Sequence, residues 1–296
     1  MGADRAGASA IEGEVYSQPT VWRQAAAVAQ AADLPRQGQS VALLGCGTSL
    51  FVAQALARWR EEAGHGVTDA FSPSEMPSGR SYDCYVAISR SGTTTEILRV
   101  LQPLADADTY AITAVPDSPV AQHARHTVAL AFADEVAIVQ TRFATSVLAF
   151  WRAYLGHDVE QLAAQAELKL QAPLPEALTS RKQFVFLGHG ASVGLANEAS
   201  LKLREAALQW TEAYPAMELR HGPISLLGPD SLVWSLDSLP DGLADEVLAT
   251  GAGLEVDGSD ALAELVRIHR AAIELARARG LDPDRPPRLA RSIVLD

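Results

Sequence analysis

One stretch of this chain occurs twice, and that internal repeat constrains the possible fold more than any other feature. The segment FVFLGHGASVGLANEASLK (residues 184–202) aligns without gaps on VALLGCGTSLFVAQALARW (residues 41–59). Three turn positions are identical in the two copies: Gly45 and Gly188, Gly47 and Gly190, Ser49 and Ser192. Each copy is a short apolar run, a glycine turn and a helix-like stretch, which is typical of a strand–turn–helix unit. The repeat therefore predicts an α/β protein of two three-layer domains, each a parallel sheet flanked by helices.

The domain limits follow from the chain length and from a polar linker between the two copies. With 296 residues the chain is long enough for two α/β domains of ordinary size. The linker at 172–181 then predicts three segments: an N-terminal arm over 1–20, a first domain over 21–170 and a second domain over 171–296. Apolar runs predict strands at 41–45, 84–89, 110–115, 127–132 and 232–236, and apolar spacing predicts helices at 18–32, 145–155 and 262–279. At most four strands are expected in the second half.

The composition and net charge of the chain indicate which binding partners it can have. Hydrophobic residues make up 48% of the chain, charged residues 20%, and the formal net charge is −12. A basic footprint for nucleic acid or an anionic membrane is missing, so we expect neither as a partner. No signal peptide and no membrane-spanning apolar run is found, which predicts a cytoplasmic protein. Cys46 and Cys84 lie in or beside strand-like runs rather than in a disulfide framework, and no residues have metal-ligand spacing, so no metal or cofactor is expected.

The sharpest local signal is SRSGTTTE, from Ser89 to Glu96, where a predicted strand ends and a helix begins. Five hydroxyl residues crowd around Gly92 in this turn: Ser89, Ser91, Thr93, Thr94 and Thr95. Helix N-termini offer unpaired N–H groups, and hydroxyls add donors, so a phosphate group fits there. An ordinary helix cap is the alternative interpretation, but a cap needs only one hydroxyl.

The turn GCGTS, from Gly45 to Ser49, is a weaker signal of the same kind. Its two glycines let a ligand approach the backbone closely. Leu50 stands where a dinucleotide-binding turn has its third glycine, and no Gly-Lys-Ser/Thr follows, so neither nucleotide motif is present. The turn is a stronger candidate for ligand binding together with SRSG, because turns that follow neighbouring parallel strands meet at one edge of the sheet.

The block from Glu198 to Pro223 is the second strong signal. Four polar side chains have the spacing of one helical face: Glu198, Lys202, Glu205 and Gln209. A solvated helix face with one Glu–Lys pair would show the same pattern. The stripe, however, leads into Arg220-His221-Gly222-Pro223, which places a histidine on a loop. A carboxylate with a histidine is sufficient to move protons on a sugar.

These motifs together resemble the sugar isomerase (SIS) domain family. The resemblance is strongest to the isomerase half of glutamine–fructose-6-phosphate aminotransferase and to stand-alone amino sugar phosphate deaminases and isomerases. It runs from GCGTS through SRSGTTTE and EASLKLREAALQWTEAYPAMELRHGP to the tail DPDRPPRLARSIVLD. It implies that the two α/β domains are of the SIS type and that the ligand is a small sugar phosphate.

The resemblance also implies roles for individual residues. Glu205 would move the proton between C1 and C2, Lys202 would lie near the reacting carbons, and His221 would assist ring opening. In this family the histidine reaches the site from the neighbouring subunit, which implies a homodimer. Eight residues would bind the substrate and its phosphate: Thr48, Ser49, Ser89, Arg90, Ser91, Thr94, Ala290 and Arg291.

The chain departs from the family pattern at three points. No glutaminase segment precedes the first domain, which favours deamination or isomerisation over amide-driven synthesis. Arg291 stands where the family tail carries an imine-forming lysine, and arginine cannot act as that nucleophile. Arg90 replaces a glutamine and is expected to add a positive charge beside the phosphate.

The leading hypothesis is a deaminase/isomerase that converts an amino sugar 6-phosphate, such as glucosamine 6-phosphate, into a ketose 6-phosphate and ammonia. An aldose–ketose isomerase of a neutral sugar phosphate would use the same carboxylate and histidine. A non-catalytic sugar phosphate sensor is a third hypothesis. The net negative charge argues against a DNA-binding sensor, and the presence of both Glu205 and His221 favours an enzyme over a non-catalytic sensor.

Overall fold

The strands form two parallel sheets in the computed structural model, which describes residues 9–104 and 106–295. The first sheet contains β1 (Val41–Leu44), β2 (Thr68–Phe71), β3 (Cys84–Ile88), β4 (Asp108–Thr113) and β5 (His126–Ala129), in the order β2-β1-β3-β4-β5. The second contains β6 (Gln183–Gly188), β7 (Thr211–Pro215), β8 (Ser231–Ser235) and β9 (Gly253–Glu255), in the order β7-β6-β8-β9. Every neighbouring pair is parallel.

Helices connect the strands and cover the sheets. They are α1 (Ala10–Ala29), α2 (Thr48–Glu62), α3 (Thr95–Leu101), α4 (Pro119–His123), α5 (Arg142–Tyr154), α6 (Val159–Lys169), α7 (Ser192–Ala207), α8 (Leu243–Ala249) and α9 (Ala261–Ala278). The central strands β1, β3 and β8 are buried along their whole length, as expected for parallel strands covered on both faces. The prediction of two parallel sheets flanked by helices is confirmed. None of the described helices is both long and apolar enough to cross a membrane.

The helices of the two repeats, α2 and α7, pack directly against each other. Gly194 makes this close approach possible, because a side-chain carbon there would lie 2.6 Å from the Phe51 carbonyl oxygen and 2.9 Å from the Ala55 amide nitrogen. Such distances exclude any larger residue. The contact joins the two halves of the chain and brings the second half's helix up to the first half's turns.

Several elements differ from the sequence prediction, including helices α4, α6 and α8, which were not predicted. Strands β2, β7 and β9 were not predicted, and all three are partly exposed edge strands with a weak apolar pattern. The first helix begins at Ala10 rather than at residue 18, so the predicted N-terminal arm over 1–20 is helical from Ala10 onward. Residues 1–8 of that arm lie outside the described residues. The boundary predicted near residue 170 falls between the last strand of the first sheet and the first strand of the second.

Candidate active site

The two polar turns of the first half lie side by side. The GCGTS turn follows β1 and leads into α2, and the SRSGTTTE turn follows β3 and leads into α3. Strands β1 and β3 are neighbours, while β2 lies on the other side of β1. The chain connections diverge at this point of the sheet, and that divergence opens a crevice at the carboxyl ends of the strands. The sequence prediction that the turns meet at one edge is confirmed.

Hydroxyl groups of the second turn are held close together. The Ser89 and Thr94 hydroxyl oxygens are 3.2 Å apart, and the Gly92 amide donates to the Ser89 oxygen at 3.1 Å. Thr94 precedes the first residue of α3, yet its side chain makes no capping hydrogen bond to that helix. The hydroxyl cluster is therefore not explained as an ordinary helix cap.

A cavity of about 160 Å³ opens above these turns. Its lining is drawn from both turns, from the loop before α5, from α7 and from the C-terminal tail: Cys46, Gly47, Thr48, Thr94, Ile138, Gln140, Glu205, Leu289, Ala290, Arg291, Ser292 and Ile293. Five of the residues selected from the sequence thus share one cavity: Thr48, Thr94, Glu205, Ala290 and Arg291. The other selected turn residues are buried in the same two turns without lining the cavity: Ser49, Ser89, Arg90 and Ser91.

Lys202 connects the second half of the chain to the first turn. Its side chain is 1% exposed, and its ammonium donates to the Thr48 hydroxyl at 2.9 Å and to Glu205 Oε2 at 2.5 Å. Glu198 Oε1 lies 3.6 Å from the same nitrogen. The helical stripe is thus a buried ion cluster rather than a solvated face. Its fourth predicted member, Gln209, lies beyond the end of α7 and binds Arg279 and the backbone instead.

Burial sets the charges in this cluster. It raises the pKa of Glu198 to about 8, against an opposing effect of Lys202, and neither Glu198 oxygen has a hydrogen-bond partner among the described residues. Burial alone would lower the pKa of Lys202, but the charges of Glu198 and Glu205 and the hydrogen bond to Glu205 outweigh it and hold that pKa above its usual value. The cluster at neutral pH is therefore a protonated Glu198 beneath an ion pair of Lys202 and Glu205. The sequence analysis placed Glu198 on the helical stripe but assigned it no role. Its spacing of four residues from Lys202 was the signal that could have identified it as a member of the ion cluster.

Glu205 is the group in the cluster that can act on a ligand. Its side chain is 21% exposed and lines the cavity. A carboxylate fixed by a buried ammonium, beside a small cavity, can accept a proton from a bound carbon acid and return it. No described cluster of three or more His, Cys, Asp or Glu side chains is arranged to hold a metal ion.

Arg90 differs from its predicted role. Its guanidinium donates to the carbonyl oxygens of Ala137 at 3.0 Å, Ile138 at 3.3 Å and Arg291 at 3.1 Å. It also lies 3.6 Å from the fully buried Glu135 carboxylate. The expectation of an added positive charge beside the phosphate is therefore wrong, because the charge is buried and paired. Arg90 instead fixes the loop before α5 and the C-terminal tail.

The C-terminal tail is attached to the first half of the chain through several contacts. The Arg291 guanidinium donates to the Asp134 carboxylate and to the Glu135 carbonyl oxygen. Further along, the Thr95 amide donates to the Ile293 carbonyl oxygen at 3.2 Å. Arg291 thus lines the cavity while its charged group binds Asp134.

His221 does not line the cavity that Glu205 lines. It ends the 3-10 segment Ala216–His221, it is exposed, and it is not among the residues that line the cavity. The cavity of a single chain is therefore lined by Glu205 without His221.

The second copy of the turn has a different electrostatic character. Cys84 pairs with Val41 in the first sheet, and Leu232 pairs with Phe184 at the repeat-equivalent place in the second. Counting from these positions, Asp237 follows β8 at the place where Ser89 follows β3. The Ser192 hydroxyl already binds the Asp237 carboxylate at 3.3 Å. A carboxylate in this position disfavours a phosphate, so the first turn is the better phosphate site.

Comparisons with known proteins agree with this fold and motif pattern. Residues 36–152 match the SIS domain model. An isomerizing glutamine–fructose-6-phosphate aminotransferase of Symbiobacterium thermophilum is 28% identical over 87% of this chain, which spans 52% of that protein. The chain thus spans about half the length of the curated relatives it matches.

Two solved structures share the fold over nearly the whole chain. Glucosamine-6-phosphate deaminase of Thermotoga maritima has a TM-score of 0.84 and 24% identity, covering 97% of this chain and all of that one. Tagatose-6-phosphate ketose/aldose isomerase of Escherichia coli has a TM-score of 0.79 and 19% identity, covering 96% of each chain. The resemblance inferred from the motifs is confirmed: residues 36–152 match the SIS domain model, and the two-sheet fold is shared with these two structures.

Proposed function

We propose that this chain is a cytoplasmic enzyme that converts an amino sugar 6-phosphate into a ketose 6-phosphate and ammonia. One observation carries the proposal: the buried Lys202 holds the Glu205 carboxylate at a cavity whose lining also includes Thr94 of the hydroxyl-rich turn. A base and a phosphate-binding turn are the two parts that this reaction needs. The fold shared with a glucosamine-6-phosphate deaminase supports the same conclusion.

Phosphate binding and proton transfer take place at different ends of the cavity. Hydroxyl and amide groups of the turn from Ser89 to Thr94 bind the phosphate. In the open-chain sugar, Glu205 removes the proton from C2 and delivers it to C1, while O1 gains a proton and the amine nitrogen loses one. The C1 aldehyde thereby becomes a hydroxymethyl group and the C2 amine becomes an imine. Water adds to C2 of the imine and ammonia leaves, so the products are the ketose phosphate and ammonia. Lys202 stabilises the Glu205 carboxylate before the first proton transfer and again after the second, when the side chain is ionised.

Incubation of the purified chain with glucosamine 6-phosphate tests the proposal directly. We expect ammonia and ketose phosphate to appear in equal amounts, because each turnover releases one of each. The two products are measured in parallel with coupled assays. If a panel of amino sugar 6-phosphates gives neither product, the proposal is wrong, and binding without turnover would indicate the sensor instead.

A neutral aldose–ketose isomerase is the second candidate. One observation favours it: Arg291 binds Asp134 and supplies no amine to the cavity, where the family tail is expected to carry a lysine. Ketose formation from glucose 6-phosphate, without ammonia from any amino sugar phosphate, would identify this activity.

We further propose a homodimer in which His221 of one copy completes the cavity of the other. His221 is exposed, and large apolar side chains of the same region are exposed as well, namely Trp210 at 77%, Met217 at 48% and Leu226 at 61%. Exposed apolar side chains of this size are typical of surfaces that bind another protein.

Mixed dimers test the donation of His221. The variants Glu205→Gln and His221→Asn are each expected to be inactive alone. Unfolding and refolding them together in equal amounts should restore about a quarter of wild-type activity, because half of the dimers then contain one intact site. Activity that stays at the level of the separate variants would show that His221 acts within its own chain or not at all.

A further inference from the structure

Gln140 lines the cavity, but none of its contacts within the chain accounts for its buried side-chain oxygen. It lies in the loop between Glu135 and α5, and it lines the same cavity as Glu205. Its Oε1 atom is buried and has no hydrogen-bond partner among the described residues. A buried amide oxygen without a partner destabilises a protein, so such an atom in a binding cavity points to a ligand group.

The loop holds Gln140 in place from both sides. Glu135 Oε1 accepts hydrogen bonds from the Thr141 amide at 2.6 Å and from the Arg142 amide at 2.7 Å. On the other side, the Arg90 guanidinium donates to the Ile138 carbonyl oxygen at 3.3 Å. The backbone at Gln140 is therefore anchored to buried charged groups. The oxygen at this buried position sets its chemistry, because an amide oxygen can only accept a hydrogen bond.

The other polar side chains that line the cavity already have partners. The Thr48 hydroxyl and the Glu205 carboxylate bind Lys202, and the Thr94 hydroxyl lies 3.2 Å from that of Ser89. The remaining polar side chains of the lining are also hydrogen-bonded: Cys46 to Glu96, Arg291 to Asp134, and Ser292 to Thr93. Among the polar side chains of this lining, Gln140 therefore has a buried atom without a hydrogen-bond partner, which a ligand could supply.

We propose that Gln140 recognises the carbon chain of the sugar by accepting a hydrogen bond from one of its hydroxyl groups. This inference rests on the proposed function, because it assigns a specificity-determining residue to the same site. An amide oxygen cannot accept from a phosphate group that has lost its protons, so its ligand is the hydroxyl-bearing part of the substrate. Inorganic phosphate has no carbon chain, so it lacks this contact when it occupies the phosphate-binding turn.

The variant Gln140→Met tests this role, because methionine has a similar length but lacks the amide. Calorimetry measures the dissociation constants of glucosamine 6-phosphate, glucose 6-phosphate and inorganic phosphate. We expect the sugar phosphates to bind about tenfold more weakly and inorganic phosphate to bind as it does to wild type. The melting temperature of the ligand-free variant should not fall, because no internal hydrogen bond of Oε1 is lost. The exposed Gln161, changed to methionine, is the matched control.

An equal loss of affinity for all three ligands, or no loss for any, would overturn the inference. Wild-type protein gives an independent check with singly deoxygenated forms of glucose 6-phosphate. At least one of them must bind about tenfold more weakly than the parent sugar, and equal affinities across the series would contradict the proposal. If glucosamine 6-phosphate binds but is not turned over, the proposed reaction fails, while these comparisons still decide the role of Gln140.

Discussion

The variant Glu205→Gln is expected to lower kcat by about 10²- to 10⁴-fold, which is the usual contribution of a general acid–base group. Glutamine keeps the length of the side chain, and its carbonyl can still accept the hydrogen bond from Lys202. The amide cannot, however, accept a proton from carbon. Substrate affinity should change little, because the hydroxyl-rich turn still binds the phosphate. Initial rates and direct binding measurements with glucosamine 6-phosphate separate the two effects.

Glu176→Gln is the matched control for this prediction, since Glu176 is exposed and lies outside the cavity. It should be as active as wild type. A Glu205→Gln variant that binds the ligand normally and retains more than a tenth of wild-type kcat would contradict the assignment of the base. A variant that loses affinity and rate together would instead place Glu205 among the binding groups.

The fold was largely predictable because its central strands carry strong local signals. Apolar runs followed by glycine turns identified β1, β3 and β6, and these strands are buried on both faces. The edge strands were missed for the opposite reason. Strand β9, for example, is only three residues long and partly exposed along its whole length, so no run of apolar residues marks it.

The candidate site was predictable as a set of residues but not as a set of contacts. The sequence selected Lys202 and Thr48, which lie 154 positions apart, without indicating that they bind each other. For Arg90 the sequence suggested a positive charge available to a phosphate, yet Glu135 neutralises it from a different loop. Whether a charged side chain serves the ligand or the core depends on partners distant in sequence. Periodicity and turn chemistry carry no information about those partners.

Lys202→Met is expected to be the most destabilising substitution in the cluster. The change removes the cation from a side chain that is 1% exposed and leaves Glu198 and Glu205 without their shared partner. Breaking a buried ion pair in this way costs about 3–5 kcal/mol of the free energy of unfolding. We expect a loss of this size at pH 9, measured by urea-induced unfolding. Lys182→Met is the matched control, because the Lys182 ion pair with Asp230 is exposed and should contribute little.

The loss should be smaller at pH 6, and Glu198 is the reason. Its pKa is raised to about 8 in the folded chain, so the folded state binds more protons than the unfolded state between pH 4.5 and 8. The contribution of Glu198 to stability is therefore present at low pH and is lost as the pH rises through 8. Without Lys202 the pKa of Glu198 rises further, so at pH 9 the folded variant must bury an uncompensated charge or take up a proton, and either costs stability. At pH 6 Glu198 is protonated and needs no partner. The double variant Lys202→Met/Glu198→Gln should recover much of the stability lost at pH 9. Equal losses at both pH values, with no recovery in the double variant, would show that Glu198 is not the uncompensated charge.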